Sequence, residues 1–487
     1  MIIRSLVALS LVVMPLAADS QDLAPEQSEA EALRLADVLA VTQAQFPSIL
    51  KALAQRRVVQ GELEATQGAF DLVINSEGFS RATGFYDGTV VTNTIEQPFA
   101  RFGGSVYGQY RLSNGDFPIY EDINFTNNGG QAKVGVVLSL LRDRDIDERR
   151  FAGNDARLAL READLDVLLT RVAVQQQAAL AYWNWVAAGQ QLLVYQDLLA
   201  IARDRDAGLI RQVTSGARAR VFLTENQQNI TRRRSLLIGA ERDYAIAVNK
   251  LGFYYRDAQG RQLAPSRAQL PARLRATIED TTLPERNLET LQAMIEARPE
   301  VRQVRTMIER ALQRIRLSEN NLKPKLDLRL EVAEGLGSVG EGGVSRDSTD
   351  TIVALNFSVP LQRREARARL SQSRAKLDAL RLQQQQLEEQ IDLELRAIAL
   401  DLDFAEQLAE LAALDVAQSR ALEAAEINRF SGGASDFFLV NVREQEVANA
   451  RIRAISAALA TRKAEVSLDA ATINLVKLGL VPNLDQD

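Results

Sequence analysis

Two stretches, at about residues 142–211 and 361–429, carry a helical apolar period and contain no proline. At 1.5 Å per residue, about 70 residues make a rod of roughly 105 Å. Helices in globular domains are far shorter, so this length predicts a coiled coil or something like it. The second rod shows its seams. Ile391, Leu395, Ile398, Leu402, Ala405, Ala409, Ala412 and Val416 alternate spacings of four and three, the repeat of knobs-into-holes packing. A second stripe follows Leu393, Ala397, Leu400, Phe404, Leu411 and Leu414. A two-stranded coil needs one seam, whereas a helix with two seams has a neighbour on each side, as in a ring or wall.

Short strands precede each rod. Residues 325–332 place Leu326, Leu328, Leu330 and Val332 on one face and Asp327, Arg329 and Glu331 on the other. Residues 351–359 repeat the alternation, with Val353, Leu355, Phe357 and Val359 on the apolar face. The Gly- and Ser-rich residues 334–350 between them read as a hairpin loop. The pattern fits a half-buried sheet and fits equally a transmembrane barrel with a lipid face and a lumen face. In the first half, Phe70, Leu72 and Ile74 alternate with Asp71, Val73 and Asn75. Val134, Val136, Leu138 and Leu140 alternate with Lys133, Gly135, Val137 and Ser139. The long insert between them, residues 84–130, contains strand-like runs at 90–95 and 105–112. It is either an extracellular hairpin or an addition to the barrel wall.

Composition removes whole classes of chemistry. The 487 residues include no Cys and no His, so the commonest general base, the thiolate nucleophile and the two commonest transition-metal ligands are absent together. No constellation of carboxylate, Lys, Ser or Tyr replaces them, and the sequence predicts no enzyme, no cofactor and no metal site. The net charge of −6 gives no nucleic-acid footprint. Residues 1–4 are basic, 5–16 are apolar, and Ala17 and Ala18 follow. Residues 1–18 therefore read as a cleavable secretory signal, too short to span a bilayer at about 20 residues. Past it, no apolar stretch is long enough for a membrane helix. If the chain enters a membrane, it does so as a closed barrel.

The order short helix, strand, loop, strand, rod, turn and return helix occurs twice. Pro47 and Pro299 open the short helices, and Ser139 and Ser358 close the second strands. The rods end at Ser215-Gly216 and Ser431-Gly432, where Gly suits a positive-φ helix end. The return helices run to Leu251-Gly252 and Leu478-Gly479, which makes the second longer by about three turns. The expected organisation is a first repeat over 30–256, a linker over 257–284, a second repeat over 285–480 and a tail over 481–487.

Arg298, Pro299 and Glu300, residues 324–328, residues 357–361 and the run from Ser431 to Gln445 carry a resemblance to the TolC-like outer-membrane efflux family. The resemblance covers nearly all of the chain after the signal. It implies a mainly α protein with a β-barrel part: a long antiparallel helical barrel plus a transmembrane β-barrel, both built by a homotrimer, with two tandem repeats and two strand pairs per chain. It implies an outer-membrane duct of a Gram-negative bacterium, extending into the periplasm. The duct would passively conduct cargo for a tripartite efflux or type I secretion system. Its partners would be outer-membrane lipid, a periplasmic adaptor and an inner-membrane pump, with no nucleic acid. The expected lipid-facing residues are Leu326, Leu328, Leu330, Val353, Leu355 and Phe357. The linker and C-terminal residues would belt the middle.

The resemblance also points to the turns as the periplasmic mouth and adaptor-docking tips. The residues singled out there are Gly216, Arg218, Arg220, Glu225, Gly432, Asp436 and Arg443. Residues 437–441 are neutral, which argues against the acidic ring that narrows this mouth in the simplest family pattern. Tyr182, Trp183 and Trp185 read as packing residues, and Arg232, Arg233 and Arg234 as a solvated face. The charged cluster Asp143, Arg144, Asp145, Asp147 and Glu148 reads as a lumen or barrel-rim patch. Two other classes stay open: a periplasmic coiled-coil adaptor or structural protein without a pore, and a secreted carboxylate enzyme on a helical scaffold.

Overall fold

The computed structural model describes residues 32–271, 294–339 and 348–480. The signal expected at 1–18, the tail at 481–487 and the linker beyond residue 271 lie outside the described residues.

Helices α1 (Leu35–Gln45) and α2 (Pro47–Gln67) lead to strands β1 (Val73–Arg81), β2 (Gly88–Pro98), β3 (Gly104–Gly115) and β4 (Gln131–Ser139). The chain then enters the long helix α3 (Glu148–Thr214) and returns along α4 (Arg220–Tyr254). The second half runs α5 (Pro299–Asn320), β5 (Lys325–Gly335), β6 (Asp350–Ser358), the long helix α6 (Arg364–Ser431) and the return helix α7 (Phe437–Ala471).

Both rods are present, at 67 and 68 residues, or about 100 Å each. Each starts a few residues later than the apolar period suggests, because the strand-to-helix elbows take up chain. Asp143 adopts φ 69° in the first elbow and Arg363 adopts φ 47° in the second. Asp147 then caps α3 by accepting from the Arg150 N–H at 2.8 Å.

The six strands form one antiparallel sheet in the order β1-β2-β3-β4-β5-β6. The insert over 84–130 therefore adds two strands to the sheet, and the described residues carry six strands where the resemblance implied four. The first strand also begins later than the alternation at 70–75. Gly68–Phe70 is a 3₁₀ turn closing α2, with the Asp71 N–H on the Gly68 carbonyl at 3.2 Å.

The return helices are equal, at 35 residues each, so the expected three-turn difference is absent. Helix α4 continues through Leu251 and Gly252. Helix α7 stops at Ala471, Ile473 takes φ 54°, and Leu478-Gly479 forms a separate turn seated on Leu39.

Helix α3 is the centre of the wall. Nearer the sheet it packs between α2 and α5; further away it packs between α4 and α7. Its middle holds the largest core, where Trp185 is fully buried among Val38, Tyr182 and Leu251, so these aromatics do pack. The Tyr182 hydroxyl donates to the Leu33 carbonyl at 2.8 Å, and burial pushes its pKa up to about 12. Residues 267–271 lie across α3, with Leu270 over Gly189 and Gln190 donating to the Pro271 carbonyl at 2.6 Å.

The two seams on α6 separate cleanly. Ile391, Leu395, Leu402 and Ala405 are buried against α5 and α7. Leu393, Leu400, Phe404, Leu411 and Leu414 are exposed along the other side.

Candidate functional site

Strand register sorts the sheet into an apolar face and a polar face. Leu326 lies opposite Phe357, Leu328 opposite Leu355 and Leu330 opposite Val353. Strand β4 extends these rows, with Val136 opposite Leu330 and Leu138 opposite Leu328. Val106 on β3 and Ile95 on β2 share this face. The face is open. Val353, Leu355 and Phe357 are 66%, 64% and 65% exposed, while Leu326 and Leu328 are half-buried. The opposite face presents Glu96, Gln109, Lys133, Asp327, Arg329 and Asn356. Shielding one large apolar side chain is worth about 1.5–3 kcal/mol. A whole apolar face left in water is therefore costly, and contiguous apolar patches of this kind mark membrane or protein contacts. The strands run from 9 to 12 residues, close to the ~9–11 that cross a bilayer at a tilt. Among the described residues, strands β1 and β6 have an unpaired edge each.

The charged stretch after β4 is an elbow built by Arg150. Its Nη1 donates to the carbonyls of Arg101, Arg144 and Asp145 at 3.1, 3.0 and 3.2 Å, and its Nη2 donates to the Asp143 carbonyl at 2.6 Å. The same guanidinium pairs with Asp147 at 3.2 Å. Asp143 also exchanges two hydrogen bonds of 3.0 Å with Asn320 at the end of α5. One side chain therefore gathers the β2–β3 turn and the β4–α3 elbow. Nothing in local spacing marked Arg150 out, since its acceptors are backbone carbonyls.

At the far ends of the rods, two turns of the same geometry reverse the chain. The Gly216 and Ala217 N–H groups donate to the carbonyls of Val213 and Gln212 at 3.1 and 2.9 Å. The Gly433 and Ala434 N–H groups donate to those of Phe430 and Arg429 at 3.1 and 2.8 Å. Both are Schellman caps. Gly216 takes φ 73° as expected, but in the second turn the positive φ of 77° falls on Gly433, and Gly432 is ordinary helical backbone. The expectation for Gly432 is off by one residue, because Gly432 stands where Ser215 stands in the first turn.

Other expected tip residues take defined places. Asp436 caps α7 by accepting from the Leu439 N–H at 2.9 Å. Arg218 lies over the rings of Phe222 and Phe430 at 5.4 and 5.1 Å, bridging the two turns. Phe437 is buried against both rings. Arg220 is exposed, Glu225 and Arg443 are half-buried, and none of the three forms an ion pair within this chain among the described residues.

The strongest polar node near the tips escapes the sequence pattern. Glu444 on α7 accepts from Arg233 on α4 at 2.9 Å and pairs with Arg205 on α3. Arg205 also donates to Asn441 at 2.8 Å, and Arg233 donates to the Leu198 carbonyl at 2.9 Å. The Arg233 and Glu444 side chains are only 3% and 2% exposed. Arg233 is thus not part of a solvated face; it locks three helices together. Its neighbours Arg232 and Arg234 are exposed. Beside the node, burial and the nearby Glu444 charge hold the Glu423 carboxyl above the usual carboxylate range.

No group of three acidic side chains is placed to hold a metal ion among the described residues, and no described helix is long and apolar enough to cross a membrane. The arrangement is an open amphipathic sheet mounted on a wall of hundred-ångström helices. No protein-family model matches the chain, and no curated protein matches it by sequence. Solved structures do. The open state of the Neisseria gonorrhoeae MtrE outer membrane channel superposes with a TM-score of 0.66 at 14% identity, over 90% of this chain and 88% of that one. The Campylobacter jejuni CmeC outer membrane channel gives 0.62 at 12% identity, over 93% and 90%. The outer membrane protein VceC from Vibrio cholerae gives 0.59 at 15% identity, over 90% and 95%. The fold of this chain is that of the TolC-like outer-membrane channels.

Proposed function

We propose that this chain is the protomer of an outer-membrane exit duct for efflux. The single observation behind this reading is the sheet. Its apolar face is exposed, its other face is mostly polar, and β1 and β6 each leave an edge unpaired among the described residues. A soluble adaptor or a secreted enzyme would cover that apolar face with its own chain. In a bilayer the face meets lipid, and the edges must pair with other copies, because unpaired backbone is not tolerated there. The wall has complementary free sides: the exposed seam of α6 on one, and the outer faces of α2 and α4 on the other. A head-to-tail contact between unlike sides generates a ring when the rotation closes. With three copies, as the resemblance implies, the barrel has eighteen strands, and barrels of about 16–18 strands leave an aqueous channel.

The mechanism is physical. The duct gives polar or amphipathic cargo a wet path through the membrane and performs no hydrolysis. Direction and energy come from an inner-membrane pump joined through a periplasmic adaptor at the tips, in an efflux or type I secretion assembly. The node of Arg205, Arg233 and Glu444, with Arg218 between the turns, sets how tightly the tip helices hold together. Electron microscopy of protein extracted from outer-membrane fractions tests the reading. A threefold tube well over 100 Å long, at 1.5 Å per helical residue plus the barrel, is the expected particle. Recovery as a soluble periplasmic monomer overturns it.

A further inference from the structure

The connection from β3 to β4, residues 116–130, leaves the sheet at the end away from the helices and does not project straight outward. It folds back over the polar face of β2 and β3. Four positions on that face carry it. A Cβ at Gly88 would lie 2.8 Å from the Phe117 ring. Val90, 3% exposed, packs with Phe117, Phe125 and Tyr86. Arg111 donates to the Ile123 carbonyl at 2.6 Å. The Ser113 and Thr126 hydroxyls lie 3.2 Å apart, and the Thr126 N–H donates to Ser113 Oγ at 2.8 Å. Register places Gly88, Val90, Arg111 and Ser113 on the side of Glu96, Gln109 and Lys133, opposite the apolar face. The far end of the connection is tied to the segment after β5. The Asn128 and Gly129 N–H groups donate to the carbonyls of Ser338 and Leu336 at 2.9 and 2.8 Å. The segment is thus a strap held at both ends, with a small apolar core of its own beneath it.

We propose that residues 116–128 form a constriction inside the outer mouth of the duct and set the size of solute that passes there. The inference rests on the reading of the polar face as the lumen. An extra hairpin per chain widens the barrel, and a strap anchored on that same hairpin narrows it again. Tyr120 and Ile123, 71% and 77% exposed on the strap, give the constriction an apolar component on a face that is mostly polar. The solutes it discriminates are therefore bulky polar molecules, excluded by size and by loss of hydration.

The test uses the full-length protein in planar bilayers, with polyethylene glycols of graded size added to one side at a time. Replacing residues 117–126 by a short Gly-Ser linker should admit larger polymers from the outer-mouth side and leave the cut-off from the opposite side unchanged. Because the chain has no Cys, Tyr120→Cys provides a single labelling site in an intact strap. Coupling a bulky thiol reagent there should lower the current and the outer cut-off. If the wild-type channel conducts but neither change alters the outer cut-off or the current, the strap does not line the path and the inference is overturned alone. If the wild-type protein forms no channel, the duct reading fails as well.

Discussion

Tyr107 on β3 donates its phenolic hydrogen to Glu331 on β5, although a whole strand lies between them. The residue between is Gly135 of β4, the cross-strand partner of both. A Cβ at Gly135 would lie 2.5 Å from the Tyr107 ring, so glycine is what lets the ring lie flat across β4. Lys133 and Arg329 flank the same carboxylate at 3.7 and 3.8 Å. The contact stitches the added hairpin to the second half of the chain on the polar face.

Gly135→Val should therefore lift the ring, break the bond and leave Glu331 short of a partner. Tyr107→Phe removes only the bond, and a hydrogen bond to a charged group is worth about 1.5–3 kcal/mol. Heat resistance of the assembled protein in detergent gels should fall for both variants, and further for Gly135→Val. Equal resistance in wild type and both variants would show that the stitch is ornamental.

Breaking the node of Arg233 and Glu444 should be more costly. Removing one member of a buried ion pair leaves its partner unpaired, at about 3–5 kcal/mol. Glu444→Ala should strip both arginines at once and lower Tm most. Arg205→Ala should cost less, since the Arg205 side chain is 23% exposed and the Arg233–Glu444 pair survives. Replacing Arg233 by Met together with Glu444 by Leu should recover part of the loss, because the fully buried pair is then gone and only the partly exposed Arg205 lacks its partner. Thermal unfolding of the four proteins orders these costs directly.

The two turns separate a conformational demand from a steric one. A Cβ added at Gly216 or Gly433 would meet nothing within 4 Å, yet both hold positive φ, which costs other residues about 1–2 kcal/mol. Gly432 has helical backbone and only ordinary contacts, at 3.5 Å. Gly433→Val and Gly216→Val should loosen the tips and reduce export at unchanged protein level. Gly432→Ala should export normally. A defect in Gly432→Ala equal to that in Gly433→Val would mean that bulk at the tip, and not backbone strain, is what matters.

The legible parts of this fold are those written in period. Rods, seams and alternating strands follow from spacing, so the faces that Ile391, Leu402, Leu328 and Val353 occupy can be read from the chain alone. The strand count is harder to read, because the runs at 90–95 and 105–112 are short and mix polar with apolar residues, and periodicity does not say which neighbour a strand pairs with. Glu444 and Arg205 are invisible for a similar reason. Each is an ordinary charged helix residue until tertiary packing buries it 200 or more positions from its partner. Arg233 is misleading, since a triplet of arginines reads as solvated and only its middle member turns inward. The turn glycines are legible as a pair, but a Gly-Gly dipeptide does not reveal which member takes the left-handed position.

Glu423 on α6 gives the tip a pH dependence with a definite sign. Burial is the largest cause of its raised pKa, the nearby Glu444 charge adds to it, and Arg420, Arg205 and Arg451 oppose it. A carboxyl whose pKa is higher in the folded protein than in the unfolded chain binds its proton more tightly when folded. Its contribution to stability is then fully present below the unfolded value, near 4.5, and is lost as the pH rises through the folded value. Mild acidification from pH 7 should therefore raise the Tm of the wild type relative to Glu423→Gln, which carries no titrating group at this position. Comparing the two proteins at each pH cancels the titration of the remaining carboxylates. The gap between their Tm values should favour Glu423→Gln at pH 7 and narrow toward pH 5. A gap that stays constant over that range would mean Glu423 is solvated like any surface carboxylate, and that Glu444 is neutralised by Arg205 and Arg233 so completely that its charge does not reach α6.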